Sequence, residues 1–313
     1  MPRILIAAEL RELLEPDPIP GHAVEWIPAD VPTPSGDVAA FVPILSRRFG
    51  EVEFAGLPEL RVVANCAVGY DNIDVEAAAR HRVVVTNTPD VLTDATADLT
   101  WFLILAVARR AKEGEALVRD GRWTGWHPQQ LLGLELRGAT LGIVGAGRIG
   151  QAVGRRAVGF GLNVLYTDRD PQPEFERETN ARRVDLPELL ARAAIVTLHV
   201  PSTQDTRGMV NGEWFGLQRD GALLVNTARG DIVDEPALLA ALVSGRLAGA
   251  GLDVFPSEPA VHPALVAHPR VVTLPHLGSA TVATRRAMAM LAVRNVRAVL
   301  AGERPLTPVP SGL

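Results

Sequence analysis

Short apolar runs rich in β-branched residues return along the whole chain, each separated from the next by a stretch of helical character. Ile4 to Ala7, Val38 to Leu45, Arg61 to Ala64 and Val83 to Thr86 occupy the first third. Thr140 to Val144, Asn163 to Tyr166, Ala194 to Leu198, Ala222 to Asn226, Ala250 to Val254 and Val271 to Leu274 follow. Runs without polar alternation are strands buried on both faces, and strands joined through helices form right-handed crossovers in parallel sheets. The fold class is therefore α/β.

At 313 residues the chain exceeds the usual single domain. A long helix, capped by Thr93 or Asp94 and running through Trp101 and Leu105 towards Arg119, separates the two strand groups. The last helix, Thr281 to Ala301, ends at Gly302 and a tail with Pro305, Pro308 and Pro310, which cannot continue it. Packed back on the first strand group, it makes the outer domain discontinuous: residues 1–97 and 287–313 flank an inserted domain of residues 98–286. The expected architecture is two Rossmann-like or flavodoxin-like domains with parallel sheets.

The net charge of -5 and the scatter of the 31 Lys and Arg residues leave no phosphate-backbone footprint, so nucleic acid is not an expected partner. Arg155 with Arg156, and Arg182 with Arg183, read as solvated surface. A single cysteine, Cys66, permits no internal disulfide, and no Cys/His cluster has metal-ligand spacing. A metal-free site in a reducing, cytoplasmic compartment is expected. Ile4 to Ala8 is too short for the apolar region of a signal segment, and Leu99 to Ala108 falls short of the about 20 residues that a membrane span requires.

Gly145-Ala-Gly147-Arg148-Ile149-Gly150 is a GxGxxG loop directly after one apolar run and before a helix. In that context the first glycine makes the tight turn, the second lets backbone approach a pyrophosphate, and the third allows close helix–strand packing. The helix N-terminus then faces the phosphates. Asp168 ends the next run, where a carboxylate can accept both ribose hydroxyls of NAD and repel the 2′-phosphate of NADP. Arg169 beside it can serve that phosphate. NAD is the expected cofactor, with NADP left open; an ordinary turn residue is the competing reading of Asp168.

In an open parallel sheet, ligands bind outside the carboxyl ends of the strands. The later runs end in His199-Val-Pro201, Thr227-Ala228-Arg229, Asp253 and His276. Any one alone reads as a capping or turn residue, but their succession along one sheet edge points to a site. Arg229 offers a planar fork for a carboxylate. His276 is the side-chain type that both donates and accepts a proton near neutrality. Glu258 can pair with that imidazole if the loop from Phe255 to Pro259 turns back towards it. A cation for a carboxylate, an acid/base group and a hydride carrier suggest carbonyl reduction.

At these residues the chain resembles the D-isomer-specific 2-hydroxyacid dehydrogenases, and within them the glyoxylate and hydroxypyruvate reductases. The resemblance is carried by Asn65-Cys-Ala-Val-Gly69-Tyr-Asp-Asn-Ile-Asp74, by Val91-Leu-Thr-Asp-Ala-Thr-Ala-Asp98, by the glycine loop, and by Asn226-Thr-Ala-Arg229-Gly-Asp-Ile-Val-Asp234. Gly251-Leu-Asp253-Val-Phe, Glu258-Pro259 and Pro275-His276-Leu-Gly278-Ser-Ala-Thr281 complete it, in order and over nearly the whole chain. It implies that Arg229 binds the carboxylate and carbonyl oxygen of a 2-keto acid, that His276 is the proton donor, and that Glu258 is its hydrogen-bonded partner. The N–H groups of Val68 and Gly69 would complete the carboxylate site. Asp253, Thr96, Thr227, Ala228 and Gly278 would hold the nicotinamide end, Arg148 and Ile149 the pyrophosphate, and His199, Pro201 and Thr206 the adenosine half.

The tract Arg122-Trp-Thr-Gly-Trp126-His-Pro resembles the reductase branch, in which a tryptophan of the neighbouring subunit reaches the substrate. A homodimer with Trp126 in that role is therefore expected. Glu258 sets aside the formate dehydrogenases, which carry glutamine there. The short segment after the last helix sets aside the regulatory domain of some phosphoglycerate dehydrogenases. The implied reaction is NAD(P)H-dependent reduction of glyoxylate or hydroxypyruvate to glycolate or D-glycerate. Dehydrogenases of 3-phosphoglycerate, D-lactate, phosphite or bulkier acids remain alternatives, as does an NAD-sensing corepressor; fold analogy alone does not choose among them.

Overall fold

The computed structural model describes residues 3–310; residues 1–2 and 311–313, the outermost ends of the expected outer domain, lie outside that description. The chain forms two compact units, residues 1–92 with 279–313, and residues 93–278. The boundaries expected at 97/98 and 286/287 are corrected by this division. They cut through the helices Thr93–Ala108 and Val282–Leu300, and a helix stays whole because its packed face belongs to one core.

The first unit holds a five-stranded parallel sheet of β1 (Arg3–Ala7), β2 (Val24–Ile27), β3 (Val38–Val42), β4 (Val62–Ala64) and β5 (Val84–Thr86), ordered β2-β1-β3-β4-β5. All five residues of β3 are buried, as an uninterrupted apolar run requires. Phe41, Phe49 and Phe54 pack in sequence at its heart, with ring centroids 5.5 and 4.7 Å apart. The edge strand β2 escaped the sequence reading because Val-Glu-Trp-Ile is too polar to register as an apolar run. Its Glu25 is paired with Arg3 of β1 at 2.8 Å.

The last helix is capped by Thr281, whose side chain accepts from the Thr284 N–H. Beyond it the proline-containing tail returns along β5. Buried Asn295 accepts from the N–H groups of Leu306 and Thr307, and Val309 N–H donates to Val85 O.

The second unit carries a seven-stranded sheet of β6 (Thr140–Val144), β7 (Asn163–Thr167), β8 (Arg182–Arg183), β9 (Ile195–Leu198), β10 (Ala222–Asn226), β11 (Leu247–Leu252) and β12 (Val271–Thr273). Every pairing is parallel and the order is β12-β11-β10-β9-β6-β7-β8. The order reverses between β6 and β9, which makes their carboxyl ends the switch point where a parallel sheet opens a crevice.

The helix expected to run from Thr93 to Arg119 is two helices, Thr93–Ala108 and Ala111–Arg119. Arg110 breaks them with φ +53°, and the Ala108 carbonyl leaves the helical ladder to accept from Leu134 N–H. Arg110 also grips Glu113 bidentately at 2.8 and 2.7 Å. No helix among the described residues is long and apolar enough to cross a membrane.

Candidate active site on the second unit

The glycine loop leaves β6 at the switch point. Gly145 has φ +92°, and a Cβ there would lie 2.7 Å from His199 O; one on Gly150 would lie 2.1 Å from Gly145 O. Side chains are thus excluded at both positions by backbone on the β9 side and within the turn itself. Around a Cβ on Gly147, by contrast, the space is open. That is the side from which a pyrophosphate can approach the helix Arg148–Gly159, whose first turn includes Arg148 and Ile149.

Asp168, just past β7, accepts from the Ala146 N–H at 2.6 Å and so ties the glycine loop to the next strand. The sequence reading missed what steadies Asp168. Arg183, read there as solvated surface, donates through Nε and Nη2 to Asp168 O at 3.1 and 2.8 Å and through Nη2 to Arg169 O at 2.7 Å. A long-range backbone clamp of this kind leaves no local signature.

His199 follows β9 and shares a hydrogen bond between Nε2 and Thr197 Oγ1 at 2.9 Å. Burial pushes its imidazole down to about 3, which makes it a neutral wall and not an acid. Thr206 folds the segment after it by donating to Pro201 O at 2.6 Å and accepting from Thr203 N–H at 2.8 Å.

The end of β10 is built around Asn226, which is 1% exposed. Its amide donates to Arg229 O at 2.8 Å and accepts from Ala228 N–H at 3.0 Å, closing a tight turn that presents Arg229. Thr227 is anchored below by Thr100, oxygen to oxygen 2.9 Å. Arg229 Nη1 donates to Ala228 O at 2.7 Å. A Cβ on Gly230 would fall 1.9 Å from the Phe255 carbonyl carbon, so the Arg229 turn and the loop carrying Glu258 lie backbone against backbone.

That loop does turn back. Glu258 Oε1 accepts from the Phe255 N–H at 2.9 Å, and Oε2 lies 2.8 Å from His276 Nδ1. Burial pushes the Glu258 carboxyl up, but the His276 hydrogen bond, the Phe255 N–H and the charges of His276 and Arg229 outweigh it and hold the group below its ordinary value. The carboxylate is therefore ionised at neutral pH and can only accept. Nδ1 must carry the hydrogen in that contact, which leaves Nε2 as the nitrogen available for proton transfer to a ligand.

His276 is held with φ +54°. Asp253, 1% exposed at the end of β11, supplies the restraint: its oxygens accept from Leu277 N–H at 2.7 Å and Gly278 N–H at 2.8 Å, while its carbonyl accepts from His276 N–H at 2.8 Å. Burial raises the Asp253 carboxyl, an effect opposed by the Leu277 hydrogen bond, the His276 charge and the Gly278 hydrogen bond. A Cβ on Gly278 would lie 3.4 Å from Thr96, so the helix Thr93–Ala108 closes this end of the site.

Arg229, Glu258 and His276 thus converge at adjoining strand ends, with Thr96, Asp253 and Gly278 beside them. Trp126 lies apart in the segment before β6, 83% exposed, with Trp123 54% exposed. Val68 and Gly69 belong to the first unit, in the loop after β4. Asn226, Gly230 and Arg183 are the supporting residues the sequence reading left without a role.

The model of the D-isomer specific 2-hydroxyacid dehydrogenase NAD binding domain matches residues 101–278. A glyoxylate reductase of Thermococcus onnurineus is 50% identical over 277 residues, covering 87% of this chain and 83% of that one. The crystal structure of an NADPH-dependent glyoxylate/hydroxypyruvate reductase from Sinorhizobium meliloti, in complex with NADP and malonate, superposes with TM-score 0.85 at 37% identity, covering 99% and 97% of the two chains. The holo D-mandelate dehydrogenase of Rhodotorula graminis gives TM-score 0.87 at 30% identity, covering 98% and 97%.

Proposed function

The chain belongs to the D-isomer-specific 2-hydroxyacid dehydrogenases and is an NAD(P)-dependent enzyme, and from that premise we propose that it reduces glyoxylate or hydroxypyruvate to glycolate or D-glycerate. The carrying observation is the 2.8 Å contact between Glu258 and His276 Nδ1 beside Arg229, because it orients an imidazole, the proton donor, next to a carboxylate-binding guanidinium.

Gly145, Gly147, Gly150, Arg148, Ile149, Asp168 and Arg169 would hold the phosphates and adenosine ribose, with His199, Pro201 and Thr206 along the adenosine. Thr96, Thr227, Ala228, Asp253 and Gly278 would line the nicotinamide end. Open space at Gly147, and the exclusion of side chains at Gly145 and Gly150, fit this cofactor. Bound there, the dinucleotide supplies a hydride.

Arg229 binds the keto acid's carboxylate and polarises its carbonyl, an orientation that a bidentate fork imposes better than a point charge. Val68 and Gly69 are the proposed backbone donors to the same carboxylate. His276 delivers the proton from Nε2 to the carbonyl oxygen as its negative charge develops. Glu258 fixes the ring through Nδ1, and Asp253 holds the turn that carries the ring. The exposed Trp123 and Trp126 support a homodimer in which Trp126 serves the neighbouring subunit's substrate. The lone Cys66 supports a cytoplasmic setting.

A panel of glyoxylate, hydroxypyruvate, pyruvate and phenylglyoxylate assayed with NADH and NADPH tests the reading. The two small acids should lead, with D-glycerate formed from hydroxypyruvate. Preference for phenylglyoxylate, or an L product, would overturn it. Sedimentation should give a dimer that Trp126→Ala leaves folded but impaired.

A further inference from the structure

In the first unit, three consecutive peptide planes are fixed by their carbonyl ends. Thr88 N–H donates to Ala67 O at 2.9 Å, Asn87 Nδ2 to Val68 O at 2.8 Å, and Asn65 Nδ2 to Gly69 O at 2.9 Å. These bonds are trans, since the one cis peptide among the described residues is Glu258–Pro259. In a planar trans peptide the N–H points opposite to the C=O. Drawing three carbonyls inward therefore turns the N–H groups of Val68, Gly69 and Tyr70 outward, on a stretch that is partly exposed. Successive outward N–H groups on one loop make an anion-binding concavity.

The amides that draw those carbonyls inward are themselves paired and rigid. Asn65 is fully buried and exchanges two hydrogen bonds with Asn72, at 3.0 and 3.1 Å. The other amide hydrogen of Asn72 goes to Arg47 O at 3.0 Å, which ties this loop to the segment after β3. Asn87 is gripped through its backbone by the tail: its N–H donates to Thr307 O, and its carbonyl accepts from Thr307 Oγ1 at 2.6 Å. A side chain at 65 or 87 has to donate to a carbonyl without adding charge near an anion. An amide does both, whereas a carboxylate only accepts.

We propose that Asn87 and Asn65 are positioning residues that aim the Gly69 and Tyr70 N–H groups at the substrate carboxylate, and that Tyr70 is a donor to it alongside Val68 and Gly69. This rests on the reading of Val68 and Gly69 as carboxylate donors. Substrate and transition state carry the same carboxylate, so the loss should fall on KM and not on kcat.

The test is Asn87→Leu, which keeps the branching but removes the donor, assayed with glyoxylate and with oxamate as inhibitor. KM and the oxamate Ki should rise together by about tenfold or more, the loss of a hydrogen bond to a charged group, while kcat and NADH affinity change little. Asn65→Leu should act in the same way through Tyr70. Asn87→Gln, which retains an NH2 group, should recover part of the loss. If the leucine variant does not fold, Asn87→Ala is measured in its place. Unmoved KM and Ki in a folded variant of an active enzyme overturn the proposal alone. A wild type that reduces no 2-keto acid removes the reading of the activity, and the proposal with it.

Discussion

Replacing Glu258 with glutamine keeps the side chain's size and one acceptor for His276 Nδ1 but removes the charge. In the wild type the imidazole helps hold the Glu258 carboxyl below its ordinary value. Unit charges about 4 Å apart attract by about 4 kcal/mol at an effective dielectric of about 20. Both side chains are about a third exposed, at 32% and 36%, and solvent screening brings this down towards about 1 kcal/mol. The contact also fixes which ring nitrogen faces the ligand. In Glu258→Gln, kcat/KM with glyoxylate at pH 7 should therefore fall by about fivefold or more, on the order of 1 kcal/mol, while NADH affinity changes little. Steady-state assays of NADH oxidation read this directly. A folded, NADH-binding variant with unchanged kcat/KM would refute the coupling.

Arg229→Lys should lower kcat/KM by about 100-fold or more and leave NADH affinity within about twofold, because a point charge cannot reproduce the fork; full activity would place Arg229 outside the site. Asp168→Gly removes the group proposed to meet the ribose hydroxyls and should shift the NADPH-to-NADH preference by about tenfold towards NADPH; equal loss with both cofactors would dismiss that assignment. The Arg110 hydrogen bond holds the Glu113 carboxyl below its ordinary value of 4.5, so its contribution is present at neutral pH and is lost as pH falls below about 4.5. Glu113→Gln should cost about 1 kcal/mol in urea unfolding at pH 7 and progressively less as pH falls below 4.5; a deficit that does not shrink would show that packing, and not charge, is at stake.

What could be read from the residues alone was what local backbone physics dictates. Gly145 is imposed by its φ of +92°, and Gly150 by a Cβ position 2.1 Å from Gly145 O, in a turn whose flanking strand and helix adjoin in sequence, so their spacing announces the turn. The strand-end rule gathered Arg229, Asp253 and His276 because each parallel strand delivers its carboxyl end to one edge. Contacts between distant segments stayed hidden. Gly230 against Phe255, Asn226 closing the Arg229 turn, and Arg183 gripping Asp168 depend on register that no short pattern records. Likewise β2 and β8 are edge strands whose polar faces erase the apolar signal, and the break at Arg110 follows from an approach by Leu134 from outside the helix.

In the proposed reaction His276 protonates the carbonyl oxygen of a 2-keto acid. Absorbance at 340 nm, followed for wild type and His276→Ala with glyoxylate and saturating NADH or NADPH, tests it most directly. Turnover by the wild type, with kcat at least about 100-fold lower in a variant that still binds the dinucleotide, is the predicted result. Undiminished turnover in His276→Ala would contradict the account.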